Sequence, residues 1–117
     1  MNVAAVSGVL SRPAAERVLN SGVRVVSYEV AVPGPDGKAE TVPVSWYDPP
    51  SSGSGLDQGT RVVAVGRVRQ RFFRTTAGAL ASRTELVASA VVRAGRTKAV
   101  REVLAQAITQ VEDGDVQ

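Results

Sequence analysis

Apolar and polar positions alternate along most of this chain and switch to a helical period only near its end. That pattern predicts a mainly β protein followed by one helix. Residues 3–10 are a short apolar run containing Gly8, a first strand with a bulge or bend at the glycine. Residues 11–19 hold Arg12-Pro13 and then Ala14 to Leu19, readable as a helical turn or an irregular connection, and Asn20-Ser21-Gly22 signals a turn. Over 23–32, Val26, Tyr28, Val30 and Val32 share the face that turns to the core. Residues 33–37 (Pro-Gly-Pro-Asp-Gly) make a hairpin loop, and a strand follows from about Glu40 to Tyr47. Its alternation makes Trp46 a core residue beside Val42 and Val44 and turns Tyr47 outward, while Pro43 favours an edge or bulged position.

The Pro/Ser/Gly segment 48–55 reads as a flexible, helix-hostile loop. Residues 61–75 are the longest strand candidate. Val62, Ala64, Val68 and Phe72 take the core face with Gly66 and Gln70, and Arg67, Arg69, Arg71 and Phe73 take the other. Ala77-Gly78 turns the chain into a last strand over 83–92. Five strands, with bends permitted at Gly8 and Gly66, predict a small closed sheet. From residue 96 to 112 the period changes: Ala99, Val100, Val103, Leu104, Ala107, Ile108 and Val111 form one helical face, with Thr97 as its N-cap and Asp113-Gly114-Asp115 ending it. This helix either covers an end of the closed sheet or pairs with a second copy of the chain.

Composition narrows the chemistry. The 117 residues amount to about one domain and contain neither cysteine nor histidine. That excludes disulfides, thiolate chemistry, imidazole bases and His- or Cys-ligated metal sites. Glu40, Asp48 and Asp57 are isolated carboxylates beside turns, the serines at 51–54 have no base partner, and the glycines near Gly53 do not match a phosphate loop. No catalytic residue, metal or cofactor is expected, and the chain reads as a binding protein rather than an enzyme. No stretch approaches the roughly 20 apolar residues of a membrane span, and the first ten residues do not read as a signal peptide, so a cytoplasmic location is expected.

The net charge of +3 conceals a sharp segregation. Residues 60–101 carry ten basic side chains against Glu85 alone, whereas residues 1–59 and 102–117 are each net acidic. Twelve of the fourteen basic residues are arginines, which suit bidentate phosphate contacts and stacking. A basic block of this density is the electrostatic footprint of a polyanion binder or simply a solvated basic surface. Within it, Arg67, Arg69, Arg71 and Phe73 stand in a row at about 7 Å intervals on one strand face. Guanidinium groups neutralise successive phosphates, and an exposed ring stacks on an unpaired base, which favours a single strand over a duplex. Tyr47 offers a second platform. The alternative is that Phe73 packs under a loop and the arginines keep the sheet soluble.

The order of these features resembles the bacterial single-stranded DNA-binding protein family, which has an oligonucleotide/oligosaccharide-binding (OB) fold. The resemblance lies in Gly8, Leu10, Pro13, Ser21 and Gly22 of the opening segment, and in Tyr28-Glu-Val-Ala-Val. It continues through the strand 40–47, the Gly59 to Phe73 segment with Val62, Gly66, Val68 and Arg71, and the closing run 83–91. It covers about residues 2–92. Of the family's base-stacking positions, one falls on Tyr47 and another on Phe73; a third falls on Thr41, and a fourth lies in the shortened hairpin 33–37. The family's helix between the third and fourth strands is replaced by the loop 48–55, and the acidic segment 113–117 lacks the family's Phe-terminated tip.

The resemblance implies a five-stranded OB-fold barrel with a C-terminal α-helix. An OB-fold domain would occupy 1–93, an amphipathic helix 94–112 and an acidic tail end 113–117. It also implies sequence-tolerant single-stranded DNA binding in replication, repair or recombination by a cytoplasmic, nucleoid-associated homo-oligomer, dimeric or tetrameric. The expected contact residues are Tyr47, Arg67, Arg69, Arg71, Phe73, Arg74 and Arg83, with no small-molecule substrate and no membrane partner. A primosomal-type docking module of the same fold, with weak nucleic-acid affinity, is the other reading, and RNA binding a third.

Overall fold

The alternating segments form strands because their β-branched residues bury one face of the pleat, and the sheet they build closes on itself. The computed structural model describes residues 1–116, with backbone only for residue 52 and residues 113–116. Its elements are β1 (Ala4–Leu10), β2 (Ala15–Val18), β3 (Arg24–Pro33), β4 (Ala39–Tyr47), β5 (Arg61–Arg74), β6 (Leu80–Arg93) and α1 (Thr97–Val116), with a 3-10 turn at Ser51–Gly53. Pairing runs β1-β5-β6-β4-β3, and β1 also pairs with β3, so five strands make a closed circuit. All contacts in it are antiparallel except β4 with β6, which is parallel and limited to Val44–Leu86 and Ser45–Val87.

Residues 11–19 depart from the sequence expectation of a helical turn or irregular connection. β2 pairs antiparallel with the Arg24–Ser27 half of β3, while Val9 and Leu10 of β1 pair with Ala31 and Val30. β2 therefore continues β1 along one edge of β3 after a break at residues 11–14, where Pro13 has no N–H to donate. All four β2 residues are exposed, so no apolar alternation announces the strand.

The core on the inner face consists of Leu10, Val26, Tyr28, Val30, Val44, Trp46, Leu56, Val62, Ala64, Leu86, Ala88 and Val91. Trp46 and the even side of β3 are buried as their alternation predicts. Pro43 sits opposite Glu29, whose carbonyl accepts a hydrogen bond from the Ser11 N–H on the far side. The 29–43 pair is thus a non-hydrogen-bonded one, and the missing proline N–H takes nothing from the β3–β4 ladder. Loop 48–55, expected to be flexible, is held at two carbonyls: Arg24 donates to Pro49 O and the buried Tyr28 hydroxyl donates to Gly53 O. Burial pushes the Tyr28 phenol well above its ordinary pKa, a shift that nearby Arg24 partly opposes, so it remains a donor at any working pH.

Two glycines allow the circuit to close. A Cβ on Gly8 would collide with the Ala31 carbonyl where β1 passes from β5 to β3, and one on Gly66 would collide with the Val87 carbonyl. Gly66 also faces a register shift: Val65 pairs with Ala90 but Gly66 pairs with Ala88, leaving Ser89 as an extra residue on β6. The bulge reverses which β6 residues point inward, so that Leu86, Ala88 and Val91 all reach the core.

Phe72 and Val68 are not core residues. β5 and β6 are 14 residues each, but β1 pairs with β5 only as far as Gly66 and β4 meets β6 only at Leu86 and Val87. Beyond these points the hairpin projects without a second layer, leaving Phe72 63% and Phe73 42% exposed. The Asn2 side chain extends the β1 ladder by one step, donating to Val68 O at 2.7 Å and accepting from Val68 N–H at 2.8 Å.

α1 packs Val100, Val103 and Ala107 on the outer-facing Val63, Val65 and Val92, joined by Val3 and Ala94. It covers an outer face rather than an end of the closed sheet. Val100 N–H donates to the Arg96 carbonyl, so Arg96, not Thr97, occupies the N-cap position. The helix runs past Asp113-Gly114-Asp115 to Val116; a glycine near a helix end weakens the last turn by roughly 1 kcal/mol but does not forbid it. Of the expected tail end 113–117, residue 117 lies outside the described residues.

Gly8→Ala should therefore destabilise the protein by at least about 1–3 kcal/mol, whereas Phe72→Ala should change stability by no more than about 0.5 kcal/mol. Urea denaturation of the two variants checks both, and a large loss in Phe72→Ala would contradict the projecting hairpin.

Candidate functional site

Cross-strand pairing sorts the expected contact residues. Arg67, Arg69, Arg71 and Phe73 pair with Val87, Glu85, Arg83 and Ala81, so all share the outer face, and Tyr47 joins them through Arg69. Arg74 does not: one position further along β5, it takes the opposite face with Phe72, and its guanidinium donates to Gly78 O at 3.0 Å. Six of the seven residues thus come together, and the seventh serves the hairpin turn.

Sequence reading missed two parts of this face. The β2 register sets Arg17 beside Val25, which in turn pairs with Tyr47, bringing a further guanidinium to the same surface. Arg17, Ser27, Glu29, Arg71, Arg83 and Glu85 line a polar cleft of about 130 Å³ there. The second part is Glu85, 5% exposed although charged. Arg69 binds its Oε1 through Nε at 3.1 Å and through the second guanidinium nitrogen, and Ser45 Oγ donates to Oε2 at 3.1 Å. Arg69 also donates to the Tyr47 hydroxyl at 2.7 Å and lies 5.4 Å from the ring centroid. Being the only acid in the basic block was the available signal for Glu85.

These contacts divide the arginines by availability. Arg69 is committed to Glu85 and covers part of the half-buried Tyr47, whose outward turn is therefore less open than alternation implies. Arg83 pairs with Glu29 at 2.8 Å in an exposed bridge, a contact worth about 0–1 kcal/mol and readily exchanged for another anion. Arg67 and Arg71 have no ion pair among the described residues. Arg71 also stands directly across from Arg83, a like-charge pair that a bound anion would relieve.

Burial pushes the Glu85 carboxyl up, but hydrogen bonds from Arg69 and Ser45 and the charges of Arg69 and Arg71 outweigh it and hold it below the ordinary glutamate value. The Arg69 guanidinium is raised, chiefly by its hydrogen bonds to Glu85 and Tyr47, and stays charged throughout. No group of three or more acidic residues positioned to hold a metal occurs among the described residues, and no helix there is long and apolar enough to cross a membrane.

In comparisons with known proteins, no family model matches the chain and no curated protein matches it. The functional reading therefore rests on the geometry of this face.

Glu85→Gln should destabilise the fold by about 1–2 kcal/mol at neutral pH, a charged hydrogen bond's worth discounted for the partly exposed Arg69. Because the folded carboxyl is held below the ordinary value of about 4.3, that contribution is complete above pH ~5 and is lost as pH falls through the depressed folded value. The gap between thermal melts of the two proteins should narrow as pH falls from neutral toward ~3; a constant gap would contradict the pairing.

Proposed function

We propose that the chain is a sequence-tolerant single-stranded DNA-binding protein with an OB-type barrel, acting in DNA replication, repair or recombination. The observation that carries the reading is the outer face of the β5–β6 hairpin, where Arg67 and Arg71, without an ion pair among the described residues, lie together with exchangeable Arg83 and exposed Phe73. Arg67 and Arg71, two steps apart in the row, each take a phosphate, and Phe73 stacks on a base, a contact worth about 1–3 kcal/mol. A single strand fits because a duplex presents no free base face to Phe73. The order of strand pairing, with a parallel contact between β4 and β6 closing an otherwise antiparallel circuit, supports the OB-type reading. The function requires no bond to be broken, in keeping with a chain that lacks histidine and cysteine.

A second reading, a docking module of the same fold with weak nucleic-acid affinity, draws on the committed state of Arg69 and the partly covered Tyr47 ring. Fluorescence titration of labelled oligo-dT at several salt concentrations separates the two. The nucleic-acid reading expects log K to fall with log salt by about 0.7 per phosphate contact, and Arg71→Ala to reduce that slope by about the same amount. Phe73→Ala should weaken binding by about 1–3 kcal/mol with little change in slope. Weak binding with no salt slope would support the docking module instead, and tighter binding of oligo-U than oligo-dT would reassign the ligand to RNA.

A further inference from the structure

Helix α1 has a second face that its packing on the sheet does not use. Arg101, Leu104, Ile108 and Glu112 follow 3, 4, 4 spacing and so form one stripe beside the buried Val100, Val103 and Ala107. Leu104 is 37% and Ile108 59% exposed, and both line an apolar groove of about 430 Å³ whose other wall is Val3, Ala4 and Ala5 at the start of the chain.

The charges along α1 say what fits that groove. Lys98 and Arg101 lie near the N-terminal end and Glu112 near the C-terminal end, and there is no acid in the first turn and no base in the last. This is the reverse of the arrangement that complements a helix dipole. An antiparallel helix of the same sequence corrects both mismatches at once. With a two-fold axis near residue 106, Leu104 meets the partner's Ile108, Arg101 lies beside the partner's Glu112, and the two dipoles oppose.

We propose that a second copy of this chain docks its α1 antiparallel in this groove, making α1 a self-association helix. The contact is isologous and closes at two chains. It lies on the outer surface over β5 and β6 near Val63 and Val65, away from the projecting part of the hairpin that carries Arg71 and Phe73. The inference is independent of the nucleic-acid reading.

Sedimentation equilibrium of the full chain over a concentration series tests it. The wild type is expected to self-associate, and Ile108→Glu to weaken association at least about tenfold while keeping the wild-type circular dichroism spectrum, since Ile108 is largely exposed. Arg101→Glu and Glu112→Arg should each weaken association, and the double variant, with both changes in one chain, should recover it. That recovery is specific to the antiparallel arrangement, because a parallel pair would set positions 101 and 112 each against its own copy, like charge against like charge in every variant. A wild type that is monomeric throughout, an Ile108→Glu variant that associates as the wild type does, or a double variant no better than the singles would each overturn the proposal.

Discussion

One extra residue on β6 governs the arrangement of everything around it. The bulge at Ser89, opposite Gly66, shifts the inward set of β6 from the even positions of Leu86 and Ala88 to the odd position of Val91. Without the shift, Val91 would leave the core and Val92 would leave the bed on which α1 rests. Glycine is required opposite, because any side chain at 66 would collide with the Val87 carbonyl. The Ser89 hydroxyl itself donates a hydrogen bond to Val65 O at 3.1 Å, tying the extra residue to the opposite strand. The basic face lies on one side of this point along the hairpin and the helix bed on the other, so a single ladder serves both.

Much of the fold was legible in the sequence because burial on one side of a strand leaves a period of two. The inward positions of β3 and β4, including Tyr28, Val44 and Trp46, follow from alternation alone. β2 was not legible for the same reason in reverse: it is a fully exposed edge, held by backbone pairing to β3 that four residues of mixed character do not announce. Phe72 and Val68 mark a different limit. Alternation states which face a residue occupies but not how far the opposing layer extends, and here that layer ends before either residue.

The candidate site was legible to a similar depth. Alternation grouped Arg67, Arg69, Arg71 and Phe73, and the structure keeps that grouping. It could not reveal that Arg69 is drawn back to a buried carboxylate, because Glu85 lies across the hairpin and Ser45 and Tyr47 come from β4. The row is therefore unequal. Arg69 acts as a fixed post that orients Tyr47, whereas Arg67 and Arg71 have no ion pair among the described residues. Arg17 enters through a strand whose existence was hidden, so its place on this face was hidden with it.

The projecting hairpin has a consequence for time rather than for place. Past Arg69 the backbones of its two strands pair only with each other, the exposed Arg83–Glu29 bridge is the ion pair that reaches the rest of the sheet among the described residues, and most side chains are exposed. Amide protons in that arm are thus set to exchange through local openings that leave the Trp46 and Tyr28 core intact. Arg71 and Phe73 belong to this locally opening unit and Arg69 to its root, so this part of the outer face can change shape within the lifetime of a single folded molecule.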